Sequence, residues 1–527
     1  MRMALSDFAN KVGGFLGRKQ FSYTALPENV TQEEVQRRAR LWVDRHQKAV
    51  RLALVALLLS VAGFFAIYFL RRPRSEAQSC ECFETGFQCE PTLSHSWGQY
   101  SPFYSVPSDI PPAIPPDCVL TFAQVLSRHG ARDPTAGKSA AYASLFQRIH
   151  ASVPSGSYGR DYAFIANYEY SLGADELSHF GQQQMVNSGK HFYARYQTLA
   201  RSISPFIRSA GQKRVVDSAV NWTQGFHEAR LADSTAKSPD AYPYAPLVLP
   251  EVEGFNNTLS PSTCPAYSDG PDTGAVPQSL FLDTFAPVVQ ARVNENLPGA
   301  NLTTHDVVSL MDMCPFETVA REGNKISRFC RLFTEDEWNS YDYYQSLGKW
   351  YGYGNGSPLG PTQGVGFINE LIARLTAQPV SDQTSTNTTL DGSRATFPLD
   401  HILYADFSHD NDMTGVFGGL GLYNATEELP IGYKNSPRKM GGYSAAWTVP
   451  FAARMYVEKM QCRDHGEEEL VRVLVNDRVI PLLNCDVDEL GRCTVDKFVE
   501  SLEFARSGGF WNEKCYAGVG NYERGLA

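Results

Sequence analysis

Positive charge is in short supply. Lys and Arg number 47 against 57 Asp and Glu, a formal net charge of −10. A general nucleic-acid binder needs a basic face, so that class is excluded. Cysteine is missing from the first 79 residues, and all 11 lie beyond them. That asymmetry predicts an oxidising compartment for the later chain. Metal-ligand spacing is missing too: there is no H-E-x-x-H and no paired C-x-x-C, and Cys80-Glu-Cys82 is too isolated for a zinc site. No Walker loop or dinucleotide fingerprint occurs. Neither a metal nor a cofactor is therefore expected. What is present is ordinary for a globular protein: 527 residues, 43% hydrophobic and 20% charged, enough for two or three domains.

Residues 1–51 are polar and read as a cytosolic tail. Within them Thr31-Gln-Glu-Glu34 matches a capping box ahead of a basic helical stretch. The uncharged run 52–70, LALVALLLSVAGFFAIYFL, is long enough for one membrane span. A signal peptide is the competing reading, but the polar segment before it is too long for an n-region. More basic residues precede the run than follow it, which predicts a cytosolic N-terminus and a type II arrangement. Arg71, Arg72 and Arg74 offer a site for shedding. Residues 71–117 read as a proline-rich stalk or a lead-in that wraps the domain, and 118–527 as the main domain. Sequons at Asn221, Asn256, Asn301, Asn387 and Asn424 agree with a lumenal or extracellular placement.

Three junctions carry chemistry. The apolar run Val119–Leu126 reads as a buried strand, and Arg128, His129 and Arg132 follow it around Gly130. Guanidinium forks suit phosphate, and a histidine between two of them is favoured in its neutral, nucleophilic form. Phe206 to Gly211 reads as a second short strand carrying Arg208, ahead of a helix with Val215, Ala219, Trp222 and Phe226 on one face. A third strand after His401 runs into His409-Asp410 and a glycine-rich helical stretch. If the strands share a sheet, their carboxyl ends gather these side chains at one rim. Residues 135–205 and 275–345 read as mainly helical. Asn476-Asp477 signals a hairpin, and Thr494 to Arg506 reads as one final helix.

The pattern R-H-G-A-R-x-P-T, with S-H-D-N downstream, resembles the signature of the histidine acid phosphatases, and of their fungal phytase branch in particular. Met311-Asp-Met-Cys314, Tyr341-Asp-Tyr-Tyr-Gln-Ser-Leu347 and Phe504-Ala-Arg-Ser-Gly-Gly509 are similar to further segments of that branch. The resemblance spans about residues 80–527. It implies an α/β fold like that of phosphoglycerate mutase, with a mixed central sheet and a smaller helical cap. It implies His129 as nucleophile, Asp410, protonated, as proton donor, and Arg128, Arg132, Arg208 and His409 as phosphate ligands, active at acid pH. It also implies five disulfides: Cys80–Cys89, Cys118–Cys462, Cys264–Cys515, Cys314–Cys330 and Cys485–Cys493, with Cys82 left over. Lys138 and Lys349 match substrate-binding lysines. Ala141 and Gly348 stand where the family often has lysine, and Asp133 where it has tyrosine. The implied activity is phosphomonoester hydrolysis, with phytate preference and broad specificity both open. A non-catalytic phosphate-binding surface protein is the remaining reading.

Overall fold

A computed structural model describes five scattered positions between 33 and 44, and then residues 86–237, 242, 244–320 and 325–516. The chain divides into two compact units, Met1–Gln78 and Ser79–Ala527. The site lies within the second.

Its centre is one mixed sheet. The strands are β1 (Cys118–Arg128), β2 (Phe206–Ala210), β3 (Leu247–Leu249), β4 (Leu403–Ser408), β5 (Arg454–Cys462), β6 (Glu469–Val475), β7 (Arg478–Ile480) and β8 (Cys493–Thr494). Their order is β3-β2-β4-β1-β5-β6-β7, with β8 beside β6. From β3 to β1 the pairing is parallel, and from β1 onward antiparallel. β1 is nearly continuously buried because it lies mid-sheet with both faces covered, as its unbroken apolar run predicts. Residues Asn476 and Asp477 both take positive φ, 49° and 67°, and turn β6 tightly into β7.

The helices that matter here are α1 (Ala136–Ser152), α2 (His179–Arg195), α3 (Lys213–Ala232), α4 (Ala275–Asn296), α5 (Thr304–Ala320), α6 (Glu335–Tyr353), α7 (Val365–Thr376), α8 (Asp410–Gly419) and α9 (Val495–Ser501). On α3, Val215, Ala219, Trp222 and Phe226 are all fully buried, the face their spacing predicts. Helices α1, α4, α5 and α6 build a separate apolar cluster from that of the sheet. Thr334 and Glu337 form a reciprocal capping box that starts α6.

Three expectations change. Of the two readings of the lead-in, residues 86–117 follow the one that wraps the domain and not the stalk: Phe87, Trp97, Tyr100 and Tyr104 are buried, and Gln99 offers its carbonyl to Arg128. The expected last helix is broken at Leu502 into α9, capped by Thr494, and a single turn Glu503–Arg506. The membrane expectation is corrected. Among the described residues no helix is long and apolar enough to cross a membrane. The run 52–70 lies outside them, so the type II placement has no structural support and is withdrawn. Cys118–Cys462, Cys264–Cys515, Cys314–Cys330 and Cys485–Cys493 are bridged. Cys89 is also disulfide-bonded, while Cys80 and Cys82 lie outside the described residues.

Candidate active site

Strand register decides which side chains meet. Arg128 on β1 lies opposite Ser408 on β4, so the two strands end level. The next residues, His129 and His409, therefore stand side by side, with ring centroids 5.7 Å apart. The His129 amide donates to the Ser408 carbonyl at 3.2 Å, which locks that juxtaposition. After Gly130 the chain turns against the start of α2. A Cβ at Gly130 would stand 2.4 Å from the Gly181 carbonyl oxygen, and one at Gly181 1.9 Å from that of Ala131. Neither position accepts a side chain without backbone movement.

His129 is buried, and its Nδ1 lies 2.8 Å from the Gly130 carbonyl. A carbonyl only accepts, so Nδ1 carries the hydrogen and the Nε2 lone pair is left for a reacting atom. Burial first, then the Arg128 and Arg132 guanidiniums, hold the imidazole well below its ordinary pKa. The neutral ring is the favoured form.

Arg128 is fully buried. It donates to the Val449 carbonyl at 2.7 Å, stacks over the Phe451 ring at 4.6 Å, and lies 3.2 Å from Asp410. Burial lowers its pKa to about 10, against the pull of Asp410. Arg132 donates to the Asp133 carbonyl at 2.7 Å. Arg128 Nη2 is taken by Asp410, while the buried Nε atoms of Arg128, Arg132 and Arg214 have no hydrogen-bond partner in the protein. Buried donors are normally satisfied, so three such guanidiniums around one histidine form a receptor for an anion.

Asp410 opens α8, directly after β4. Lys349, in the last turn of α6, donates to its Oδ2 at 2.7 Å and to Asn411 Oδ1 at 2.5 Å. Burial pushes the Asp410 carboxyl up, but Arg128 and Lys349 outweigh it and hold the group well below the usual carboxylate range. Asp410 is thus ionised in the free site, where the resemblance implied a protonated donor. The reason is two cations within 3.2 Å. Lys138, in the first turn of α1, pairs with buried Asp312 at 2.8 Å and lies 5.2 Å from the Tyr100 ring centre. Asp312 also accepts from the Tyr142 and Tyr341 hydroxyls.

Arg208 does not join this group. It lies inside β2, opposite Asp406, and its guanidinium donates to Asp406 at 2.8 Å and Glu370 at 2.6 Å. Those two carboxylates claim it within the sheet. The arginine whose charge acts on His129 and Asp410 is Arg214, six residues on, at the second position of α3, where it also pairs with Asp175 at 3.4 Å. Its place at a strand-to-helix junction was a usable signal, obscured by the nearer Arg208. Glu251 was missed as well. It stands just past β3 and holds His409 Nε2 at 3.1 Å. Among the described residues, no group of three or more His, Cys, Asp or Glu side chains is arranged to hold a metal ion.

A mixed sheet under a helical cap, with Arg-His-Gly at one strand end and His-Asp at its neighbour, defines a histidine phosphatase. The chain belongs to the histidine phosphatase superfamily, branch 2, whose family model matches residues 119–476. It is 52% identical over 473 residues to Phytase A of Aspergillus oryzae, covering 89% of this chain and 99% of that protein. It is 50% identical over 471 residues to Phytase A of Aspergillus fumigatus, covering 88% and 100%. Among solved structures, the phytase from D. castellii superposes with a TM-score of 0.62 at 22% identity, over 80% of this chain and 87% of that one. The Bifidobacterium longum multiple inositol polyphosphate phosphatase, in complex with inositol hexasulfate, gives 0.55 at 15%, over 77% and 97%. At those identities the structural likeness shows the fold.

Proposed function

We propose that this protein hydrolyses phosphate monoesters, phytate (myo-inositol hexakisphosphate) foremost, through a phosphohistidine on His129. The observation that carries the reading is the level ending of β1 and β4. It brings His129, Arg128 and the Asp410 carboxyl to one rim, and the reading is supported by the positive charge that Arg132 and Arg214 add to His129 there. Two relatives at 50% identity or more bear the name Phytase A, which supports the inositol polyphosphate as substrate.

Arg128, Arg132, Arg214 and His409 hold the phosphoryl oxygens and take up their charge. His129 Nε2 attacks phosphorus in line while the ester P–O bond breaks. Asp410 gives its proton to the departing alkoxide. Water then attacks the phosphohistidine, Asp410 takes the proton from that water, the P–N bond breaks, and inorganic phosphate leaves. Asp410 takes up a proton from solvent as the substrate loads: a phosphate anion engages Arg128 and Lys349, and their hold on the carboxylate weakens. Acid solution helps the same step.

Broad monoester specificity has its own support in Asp133. This acid beside Arg132 opposes a polyanion, and burial raises its pKa. Rates on phytate and on 4-nitrophenyl phosphate decide between the two. A phytate kcat/KM above that of the small ester supports the phytase reading, and equal values remove it. Acid quench during turnover should trap label on wild-type protein and none on His129→Ala. Turnover surviving in His129→Ala would defeat the mechanism.

A further inference from the structure

Four parallel strands end on the rim of the site. The mechanism draws on three of them and leaves the residue beyond the fourth, Glu251, without a task. Its carboxylate is the most connected group at that edge. His409 Nε2 lies 3.1 Å from Oε1 and 3.2 Å from Oε2. The Gln212 amide donates to Oε1 at 2.8 Å, and the Ser260 hydroxyl to Oε2 at 3.1 Å. Gln212 is the N-cap position of α3, the helix that carries Arg214. One carboxylate therefore ties the end of β3, the start of α3 and the imidazole beyond β4. Burial pushes the Glu251 carboxyl up, but its bonds to His409, Gln212 and Ser260 outweigh that and leave it lowered. That shift favours its anionic form.

We propose that Glu251 is a positioning residue for the phosphoryl transfer. It takes a hydrogen bond from His409 Nε2 and fixes the ring's orientation toward the phosphoryl oxygens. This rests on the phosphohistidine reading. A carboxylate behind a working imidazole fixes which nitrogen carries hydrogen and which way the ring faces. Beyond its edge contact with the His129 ring, no other side-chain hydrogen bond among the described residues orients the His409 ring: His409 is itself an N-cap position, and its side chain makes no bond to the helix it starts. The double contact to Nε2 supplies that restraint. Glu251 acts through His409 and is given no contact with the transferred group.

The test uses the full chain, with 4-nitrophenyl phosphate and phytate as substrates. Glu251→Gln keeps an acceptor and loses the charge; Glu251→Ala loses both. Partners of this kind contribute about 10–100-fold. The expected result is a kcat about 10-fold lower for Glu251→Gln and about 100-fold lower for Glu251→Ala. It is alike on both substrates, with KM within about twofold. In the His409→Ala background, Glu251→Ala should cost no more than about a further twofold, because residues acting as one unit are not additive. A structural brace or a substrate contact would add its full cost there. Unchanged kcat in both single variants overturns the proposal. So does a loss confined to KM on phytate, or an additive double variant. Failure to trap a phosphoenzyme in wild type would sink the phosphohistidine reading separately, since the kcat comparison still decides Glu251.

Discussion

Replacing Arg208 and Arg214 in turn by alanine separates a cation used by the fold from one used by the substrate. Arg208 is buried and bonded to Asp406 and Glu370; Arg374 also reaches Asp406, at 2.6 Å. Its removal leaves Glu370 with the Thr258 hydroxyl but without its ion pair. Breaking a buried pair by deleting one partner costs about 3–5 kcal/mol. A compact unit of roughly 450 residues unfolds with an entropy near 0.9 kcal/mol/K, so Arg208→Ala should lower Tm by about 3–5 °C. At 25 °C its kcat/KM should stay within about threefold of wild type. Arg214→Ala should behave oppositely. Burial and Arg132 disfavour its charge, and its ion pair is a long one to the partly exposed Asp175, so its loss should leave Tm nearly unchanged. Losing one donor to the transferred phosphoryl should cost about 100-fold in kcat/KM. Calorimetry and initial rates on 4-nitrophenyl phosphate read both quantities. If Arg208→Ala lost 100-fold in rate at unchanged Tm while Arg214→Ala stayed active, the assignment of the two arginines would be refuted.

Other outcomes follow from the same geometry. His129 is held neutral, so kcat/KM on the small ester should show no protonation step near its ordinary value of 6.5 on the acid side; a loss centred there would contradict the buried imidazole. The same depressed pKa makes the folded state refuse a proton that the unfolded chain accepts. The stability it contributes is present above about pH 6.5 and declines as pH falls below it, measurable as Tm against pH. Burial first, and Glu251 and Asp410 after it, push Asp412 up to about 7 against His409. Asp412 should therefore lose its charge as pH falls through 7, so phytate KM should drop between pH 8 and 6, and Asp412→Asn should flatten that change. Lys138→Ala should weaken phytate kcat/KM about 10-fold and leave the small ester nearly untouched, a difference that side-by-side KM values would reveal. Gly181→Ala should reduce folded yield, because its Cβ would meet the Ala131 carbonyl at 1.9 Å.

Some of this was open to a reader of residues. His129 and Asp410 follow directly on strands, and a side chain next to a strand end is placed by the covalent chain itself. Helix α3 showed its buried face through apolar positions spaced three and four residues apart, and the β6–β7 hairpin showed itself through Asn476-Asp477. The cap region was visible as a long stretch poor in strand signal. Those features depend on neighbours a few residues away, which one sequence displays.

Tertiary structure decided the rest. Arg208 and Arg214 look alike as letters, and only the pairing of β2 with β4 gives Arg208 to Asp406 and leaves Arg214 to the site. Lys349 meets Asp410 across 61 positions of chain, and Glu251 meets His409 across 158. The charge on Asp410 follows from such meetings, because it is set by the cations within a few ångströms and not by the residues beside it in the chain. Strand order and register bring those groups together, and electrostatic interaction depends on distance through space.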